Sequence, residues 1–325
     1  MRNTTATLDF LCEEYSNRTF NIQLNMNIDN IKTEIPHNKR KSVTVLGLGN
    51  MGAAIAHTFI NQGYDTVVWN RSAEKCKPLI QAGATAAETL DGAVAASKTI
   101  VICLLNNTAV DEVLRQLTGA VAGKVFINLT SGTPAQARVF AEWAERRNAS
   151  YIDGKILADP TDVGTPKAQF MFSGQSSAFV SQKHVLKKLG TITYYGEEPG
   201  AAAAEFMAQV AMGYELLIGF LHTLRLVQAE GIDIEAFAHR IAATLGGYSS
   251  LLVGLSTAIK SGKYSPDLGP LYVQAALFDD LIGHRESQDV ETVRMREVKS
   301  LMDRRIEDGH GDQGFSSLFE LLGKQ

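Results

Sequence analysis

With 325 residues, 45% of them hydrophobic and 20% charged, the chain is long enough for roughly two folded domains and has a globular rather than a disordered composition. A net charge of −4 provides no basic footprint for a polyanion, so nucleic-acid binding is not expected. Three cysteines, Cys12, Cys76 and Cys103, form no C-x-x-C pair and argue for a reducing compartment, and seven histidines without H-E-x-x-H or a Cys/His cluster offer no zinc-ligand spacing, so no metal site is expected.

Residues 1–40 are rich in Asn and Thr, lead into the basic run His37-Asn38-Lys39-Arg40-Lys41 and show no sustained periodicity; they read as a flexible extension. They lack a basic start followed by an apolar run, so no secretory signal is expected and the cytoplasm is the expected location. Residues 43–46 read as a buried strand, 49–61 as a helix closed by Gln62-Gly63, and 66–69 as a second strand. Apolar runs at 99–104 and 124–128, with helical stretches before and between them, continue the alternation and imply a mostly parallel, doubly wound sheet. Further strands are expected at 151–153, 169–173 and 191–195.

After Gly200 the strand signals stop, and helical segments run nearly to the end, broken at Gly231, Gly246-Gly247, Gly262 and Pro266. The stretch 201–224 is apolar enough to raise a membrane question, but Glu205, Gln209, Glu215 and His222 would each be costly in hydrocarbon. A buried soluble helix is expected instead, and its apolar character on every face calls for cover by a second copy of the chain.

Gly47-Leu48-Gly49-Asn50-Met51-Gly52 fits G-x-G-x-x-G between a predicted strand and a predicted helix, the context that a dinucleotide-binding motif requires. Gly47 permits the tight turn, Gly49 lets backbone approach a pyrophosphate, and Gly52 allows close helix–strand packing; the N–H groups at Asn50 and Met51 open the helix. About twenty residues on, where an acid would meet the ribose of NAD, stands Trp69-Asn70-Arg71-Ser72, with Lys75 one turn later. Arg71 suits bidentate pairing with a 2′-phosphate, Asn70 and Ser72 can hydrogen-bond to it, and Lys75 adds charge, so NADPH is the expected cofactor. Asp65 lies before the expected strand and is wrongly placed to replace the acid.

From Lys41 onward the sequence resembles the imine reductase and reductive aminase family, which reduces C=N bonds with NADPH. The resemblance is carried by the glycine motif, Val68-Trp69-Asn70-Arg71-Ser72, Cys103-Leu104-Leu105-Asn106-Asn107, Asn128-Leu129-Thr130-Ser131-Gly132-Thr133-Pro134, Gly164-Thr165-Pro166, Phe172-Ser173-Gly174, Gly219-Phe220-Leu221-His222 and Gly309-His310-Gly311. It implies an α/β fold with an amino-terminal Rossmann domain (41–198), a long interdomain helix (199–230) and an all-helical carboxy-terminal domain (231–325), two chains intertwining as a homodimer with the active site between them. It also implies that Ser131 and Thr133 sit beside the nicotinamide and ribose, and that Leu104 and Leu105 border the adenosine side. Ser131 and Thr133 equally suit turn and cap formation.

Two departures from the family concern catalysis. The proposed proton donor of many members, an Asp or Tyr on the interdomain helix, aligns with Phe206, which cannot donate a proton; related 3-hydroxyacid dehydrogenases place a Lys near this point, and Ala204-Glu205-Phe206-Met207 holds none. Tyr214 lies eight residues further on, a spacing that returns to nearly the same helix face, and is the expected catalytic hydroxyl unless it simply packs in the core. Glu205 points about 100 degrees away from Phe206 around the helix. The second departure is the expected loop 156–164, where Asp159 and Asp162 replace residues that are apolar in relatives; either can stabilise an iminium cation or deliver a proton, or serve as a turn former or a solvent-facing acid. Gln274 matches a polar site-facing residue of relatives, and Tyr248 and Tyr272 offer aromatic substrate walls, or ordinary packing. The expected function is reduction of an imine, cyclic or a biosynthetic intermediate; the alternatives are a 3-hydroxyacid dehydrogenase-type reaction and a non-catalytic NADPH-binding sensor.

Overall fold

Val43-Thr44-Val45-Leu46, three β-branched residues and a leucine, is buried along its whole length, as suits a strand covered on both faces. This strand, β1 (Ser42–Leu46), lies inside an eight-stranded sheet in a computed structural model that describes residues 41–323. The extension read over residues 1–40, with Cys12, lies outside the described residues. Around β1 stand β2 (Asp65–Trp69), β3 (Thr85–Ala86), β4 (Thr99–Ile102), β5 (Val125–Asn128), β6 (Ser150–Leu157), β7 (Gln169–Gly174) and β8 (Thr191–Tyr194), in the order β3-β2-β1-β4-β5-β6-β7-β8. The pairs are parallel except β6–β7, which is antiparallel. The strand order reverses between β1 and β4, which opens a crevice at their carboxyl ends.

Residues alternate between two cores. Val43, Val45, Val101, Ile127, Ile152, Phe170 and Phe172 face α1 (Asn50–Asn61), α2 (Lys77–Gln81) and α6 (Ser176–Leu186). Leu46, Ile100, Ile102, Phe126 and Tyr151 face α3 (Leu90–Ala96), α4 (Asn107–Gln116) and α5 (Pro134–Glu145), where Phe126 meets Trp143 edge-on at 5.3 Å. This is the doubly wound α/β arrangement expected.

Four details differ from the sequence reading. Asp65 opens β2 rather than preceding it. The two-residue β3 was not expected, being too short to show a period. The expected strand at 99–104 ends at Ile102, because the chain turns away to reach Asn106, whose side chain caps α4. Finally, β6 continues to Leu157, since pairing with β7 draws Ile156 and Leu157 out of the expected loop.

The remainder is helical: α7 (Ala201–Ala229), α8 (Ile234–Leu245), α9 (Tyr248–Ser261), α10 (Leu271–Ser287) and α11 (Val293–Arg305), then a π-helical turn at Ile306–His310 and a 3-10 segment at Phe315–Leu321. Ser173 of β7 starts α7 by accepting the Ala202 N–H at 3.0 Å and donating to Pro199 O at 2.9 Å. Asp233 caps α8, and Gly262, with φ of 66°, closes α9. A small core of Leu271, Ala275, Met302 and Leu318 joins α10 and α11 to the terminal turns.

The 29-residue α7 is long and apolar enough to cross a membrane, with a mean hydropathy of 1.4 over an 18-residue stretch. The expectation that it is buried is not met within one chain: only Ala202, Ala203 and Val227 are buried, while Met207, Met212, Leu216, Leu217 and Leu221 are exposed. The reason is geometric, since α9 to α11 pack mainly on one another and on the terminal turns rather than along α7.

Candidate functional site

At the carboxyl end of β1 the chain turns through Gly47, whose φ of 96° favours glycine and where a Cβ would stand 2.3 Å from Cys103 O. Gly52 packs as closely, since its Cβ would stand 2.0 Å from Gly47 O. Gly49 is different. Its backbone is extended and a Cβ there would meet nothing within 4 Å, so its missing side chain keeps space open in front of α1. No side chain caps α1 and no acid lies in its first turn, so the N–H groups at Asn50 and Met51 and the positive end of the helix dipole face that space. These features fit the pyrophosphate of a dinucleotide.

The loop after β2 is tied to this turn by Asn70. Its Oδ1 accepts the Leu48 N–H at 3.0 Å and its Nδ2 donates to Ser72 O at 3.1 Å, so the amide expected to bind phosphate serves as a brace between two loops. Arg71, Ser72 and Lys75 are exposed, and neither cation has a carboxylate partner among the described residues. Such a cluster fits the 2′-phosphate of NADPH. Leu105, 92% exposed, stands in the turn after β4 beside half-buried Leu104, leaving apolar surface at the edge of the crevice. The Cys103 thiol before them is pushed up to about 11 by burial, so it stays protonated and inert.

After β5, Ser131 and Thr133 are both exposed. Thr133 forms a capping box at the start of α5: its hydroxyl accepts the Gln136 N–H at 3.3 Å, and Gln136 Oε1 accepts the Thr133 N–H at 2.9 Å. Thr133 therefore fills the cap role that its sequence allowed, while the Ser131 hydroxyl stays on the surface of the loop.

Beneath this loop lies a buried polar network that sequence reasoning missed. Asp153 and Lys155, both 1% exposed, pair at 2.8 Å, and Lys155 Nζ also donates to Thr130 O at 3.1 Å. The Tyr151 hydroxyl lies 3.3 Å from Asp153 Oδ1 and accepts from Asn128 Nδ2 at 3.1 Å. Burial pushes the Asp153 carboxyl up to about 6, against the opposing pull of the Lys155 ammonium, and its second oxygen, Oδ2, has no hydrogen-bond partner. Burial drives the Tyr151 hydroxyl well above its usual range, helped by the charge of Asp153. The available signal was two charges at i and i+2 within Tyr151-Ile152-Asp153-Gly154-Lys155, placing both on one face of a strand expected to be covered.

The segment after β6 carries the two unexpected acids. Asp159 is exposed and precedes a short 3-10 turn, Pro160–Asp162, without capping it through its side chain; Asp162 is half-buried, and its carbonyl accepts from the Thr165 hydroxyl at 2.8 Å. Neither carboxylate has an ion-pair partner among the described residues. Ala158 and Val163 pack on the same core as Met51, and the Thr58 hydroxyl of α1 lies 3.5 Å from Val163 O, so the acids stand beside the dinucleotide helix.

On α7, Phe206 is half-buried and Tyr214 is 70% exposed, two turns or roughly 12 Å further along the helix. Glu205 is engaged with Gln209 Nε2 at 2.8 Å. In the helical region Tyr248 and Tyr272 are half exposed, whereas Gln274 is buried and donates to Asp267 O at 3.2 Å and Gly269 O at 2.6 Å, bracing the turn where Leu268 and Gly269 have positive φ. One chain thus brings the acids, Met51 and the glycine turn together, and leaves Tyr248, Tyr272 and Gln274 on helices that pack elsewhere. A cavity of about 390 Å³ between α7 and the α10–α11 connection, lined by His222, Arg225 and Glu291, lies away from this crevice. No metal-ligating cluster occurs among the described residues.

Comparison with known proteins adds to this geometry. A family model for the NAD binding domain of 6-phosphogluconate dehydrogenase matches residues 42–196, and one for the NADPH-dependent reductive aminase-like C-terminal domain matches residues 198–324. An NADPH-dependent reductive aminase from Aspergillus oryzae is 35% identical over 285 residues, covering 86% of this chain and 96% of that one. Among solved structures, a reductive aminase from Aspergillus terreus in complex with NADPH and ethyl levulinate superposes with a TM-score of 0.80 at 35% identity, over 88% of this chain and 100% of that one. An imine reductase from Bacillus cereus superposes with a TM-score of 0.83 at 29% identity, over the same shares.

Proposed function

The chain belongs to the imine reductase and reductive aminase family, and from that premise we propose that it reduces a small cyclic imine or iminium at a site completed by a second copy of itself. It is an NADPH-dependent oxidoreductase acting on C=N bonds. When bound, NADPH supplies the hydride that the substrate carbon accepts. The observation that carries the reading is the open space before Gly49 beside the uncommitted cations Arg71 and Lys75. Gly47, Gly49, Asn50, Met51 and Gly52 hold the pyrophosphate, Arg71, Ser72 and Lys75 the 2′-phosphate, with Asn70 bracing them. Leu104 and Leu105 border the adenosine side, and Ser131 and Thr133 the nicotinamide side.

Because Phe206 cannot give a proton, it serves as an apolar substrate wall. The Tyr214 hydroxyl orients the substrate nitrogen or hands it a proton, while Asp159 and Asp162 stabilise the cationic iminium from the α1 side, an effect that grows as water is excluded. Tyr248 and Tyr272, half exposed, reach the substrate across the homodimer, whereas Gln274, buried with its amide engaged by Asp267 O and Gly269 O, supports the turn rather than touching substrate. The dimer is supported by the exposed apolar length of α7, whose Glu205, Glu215 and His222 are already matched with Gln209, Arg294 and Glu291; paired polar groups and apolar stripes suit a protein interface better than lipid. A cytoplasmic location is part of the same proposal, supported by cysteines that form no C-x-x-C pair.

The test is NADPH oxidation followed at 340 nm with five- and six-membered cyclic imines, for wild type and for Asp159→Ala, Asp162→Ala and Tyr214→Phe. Turnover that one substitution lowers by about 100-fold, a loss typical of general acid–base groups, identifies the residue standing in for the family acid. NADPH binding with no turnover on any imine would overturn the reading in favour of a non-catalytic sensor, which Phe206 alone would suit.

A further inference from the structure

The buried pair Asp153–Lys155 takes no part in the reaction as proposed, yet it touches the loop that borders the site. Taking an ammonium and a carboxylate out of water costs several kcal/mol for each ion, and an apolar pair of similar volume would commonly stabilise the sheet as well or better. Here the carboxylate is not even fully satisfied, because Asp153 Oδ2 lacks a partner. What the ammonium does beyond its ion pair is donate to Thr130 O at 3.1 Å.

Thr130 is held from several sides. Its hydroxyl accepts the Leu104 N–H at 3.0 Å, its own N–H donates to Asn128 Oδ1 at 3.1 Å, and its carbonyl is held by Lys155 alone among the described residues. That carbonyl belongs to the peptide unit joining Thr130 to Ser131. Its orientation therefore sets where the Ser131 hydroxyl and the following Gly132-Thr133 lie. Gly132 is packed closely on the Asn107 side chain, where a Cβ would stand 1.8 Å from its Nδ2, so the loop lies tight against the start of α4.

We propose that Lys155 is a positioning residue for this reductase, its ammonium fixing the Thr130–Ser131 peptide so that Ser131 and Thr133 are preset at the nicotinamide edge of the cofactor cleft. The inference rests on the reading of those two residues as bordering the nicotinamide. Asp153 holds the ammonium in line with the carbonyl, and Tyr151 and Asn128 complete the ring of bonds back to Thr130. The bond from Leu104 to the Thr130 hydroxyl does not depend on Lys155, so the adenosine side of the cleft is set separately.

The full chain with Lys155→Met, and with the charge-neutral pair Asp153→Asn/Lys155→Met, tests this by titration calorimetry with two ligands. NADPH reads the whole cleft, and 2′,5′-ADP reads only the adenosine and 2′-phosphate end. Loss of a hydrogen bond from a charged donor predicts that the NADPH Kd rises about tenfold while the 2′,5′-ADP Kd stays within about twofold of wild type. The imine kcat should fall further than the NADPH affinity accounts for. Equal weakening of both ligands, or no change in either, would overturn the proposal. Should the single variant fail to fold, the neutral pair, which leaves no buried charge unmatched, reads the same contrast. If wild type turns over no imine, the reaction assignment fails while the two-ligand contrast still decides the role of Lys155.

Discussion

Asn70 Oδ1 accepts the backbone N–H of Leu48 at 3.0 Å, which ties the glycine-rich turn after β1 to the loop that presents Arg71 and Lys75. Two loops that follow successive strands, and that we propose hold the pyrophosphate and the 2′-phosphate, are thereby held in one relative position. Asn70→Ala should leave the sheet intact, orphan the Leu48 N–H at a cost of about 1–3 kcal/mol, and raise the NADPH Kd by roughly 5- to 100-fold. Titration calorimetry with NADPH, beside a thermal melt showing a folded protein, checks this.

Arg71→Ala should act on cofactor choice rather than on turnover in general. Its guanidinium has no carboxylate partner among the described residues, so removal strands no other charge. Loss of a charge-assisted bond to a 2′-phosphate predicts a drop of about 10- to 100-fold in kcat/KM for NADPH, with NADH changed little. An equal loss for both cofactors would place the phosphate elsewhere.

The glycines should separate fold from binding. Gly49→Val adds side-chain atoms where a Cβ meets nothing within 4 Å, so the melting temperature should move little while NADPH binding is lost. Gly47→Ala forces a Cβ to 2.3 Å from Cys103 O at φ of 96°, and should cost well over about 1 kcal/mol, lowering the melting temperature by several degrees.

Asp153 predicts a pH dependence of stability. Its folded carboxyl is raised by burial to about 6, above the ordinary carboxylate value near 4, so the folded state binds the proton more tightly than the unfolded chain. The stability it contributes is complete below about pH 4 and is lost as pH rises through 6. Wild type should therefore gain on Asp153→Asn as pH falls from 6 to 4, and the difference should be flat above 7. Urea unfolding of both proteins at those pH values measures it.

Much of the site was legible locally. The spacing of Gly47, Gly49 and Gly52, the absence of an acid at Arg71 and the alternation of apolar runs are properties of a few neighbouring residues, set by backbone sterics and by the periods of strand and helix. Asn70 was read as a phosphate ligand because its residue type allows it; that its amide is spent on Leu48 depends on β1 and β2 lying side by side.

The network beneath Ser131 depends still more on pairing. Thr130 and Lys155 are 25 positions apart, and they meet only because β5 and β6 pair in parallel with Asn128 opposite Asp153. A shift of one residue in that register would carry Asp153 and Lys155 to the opposite face of the sheet. The chain's own sequence thus determined the elements, the cofactor motif and the apolar length of α7, because these follow from local sterics and composition. The tertiary structure decided which buried polar groups satisfy one another and which face of α7 one chain leaves uncovered, because both depend on the register and packing of segments far apart in the chain.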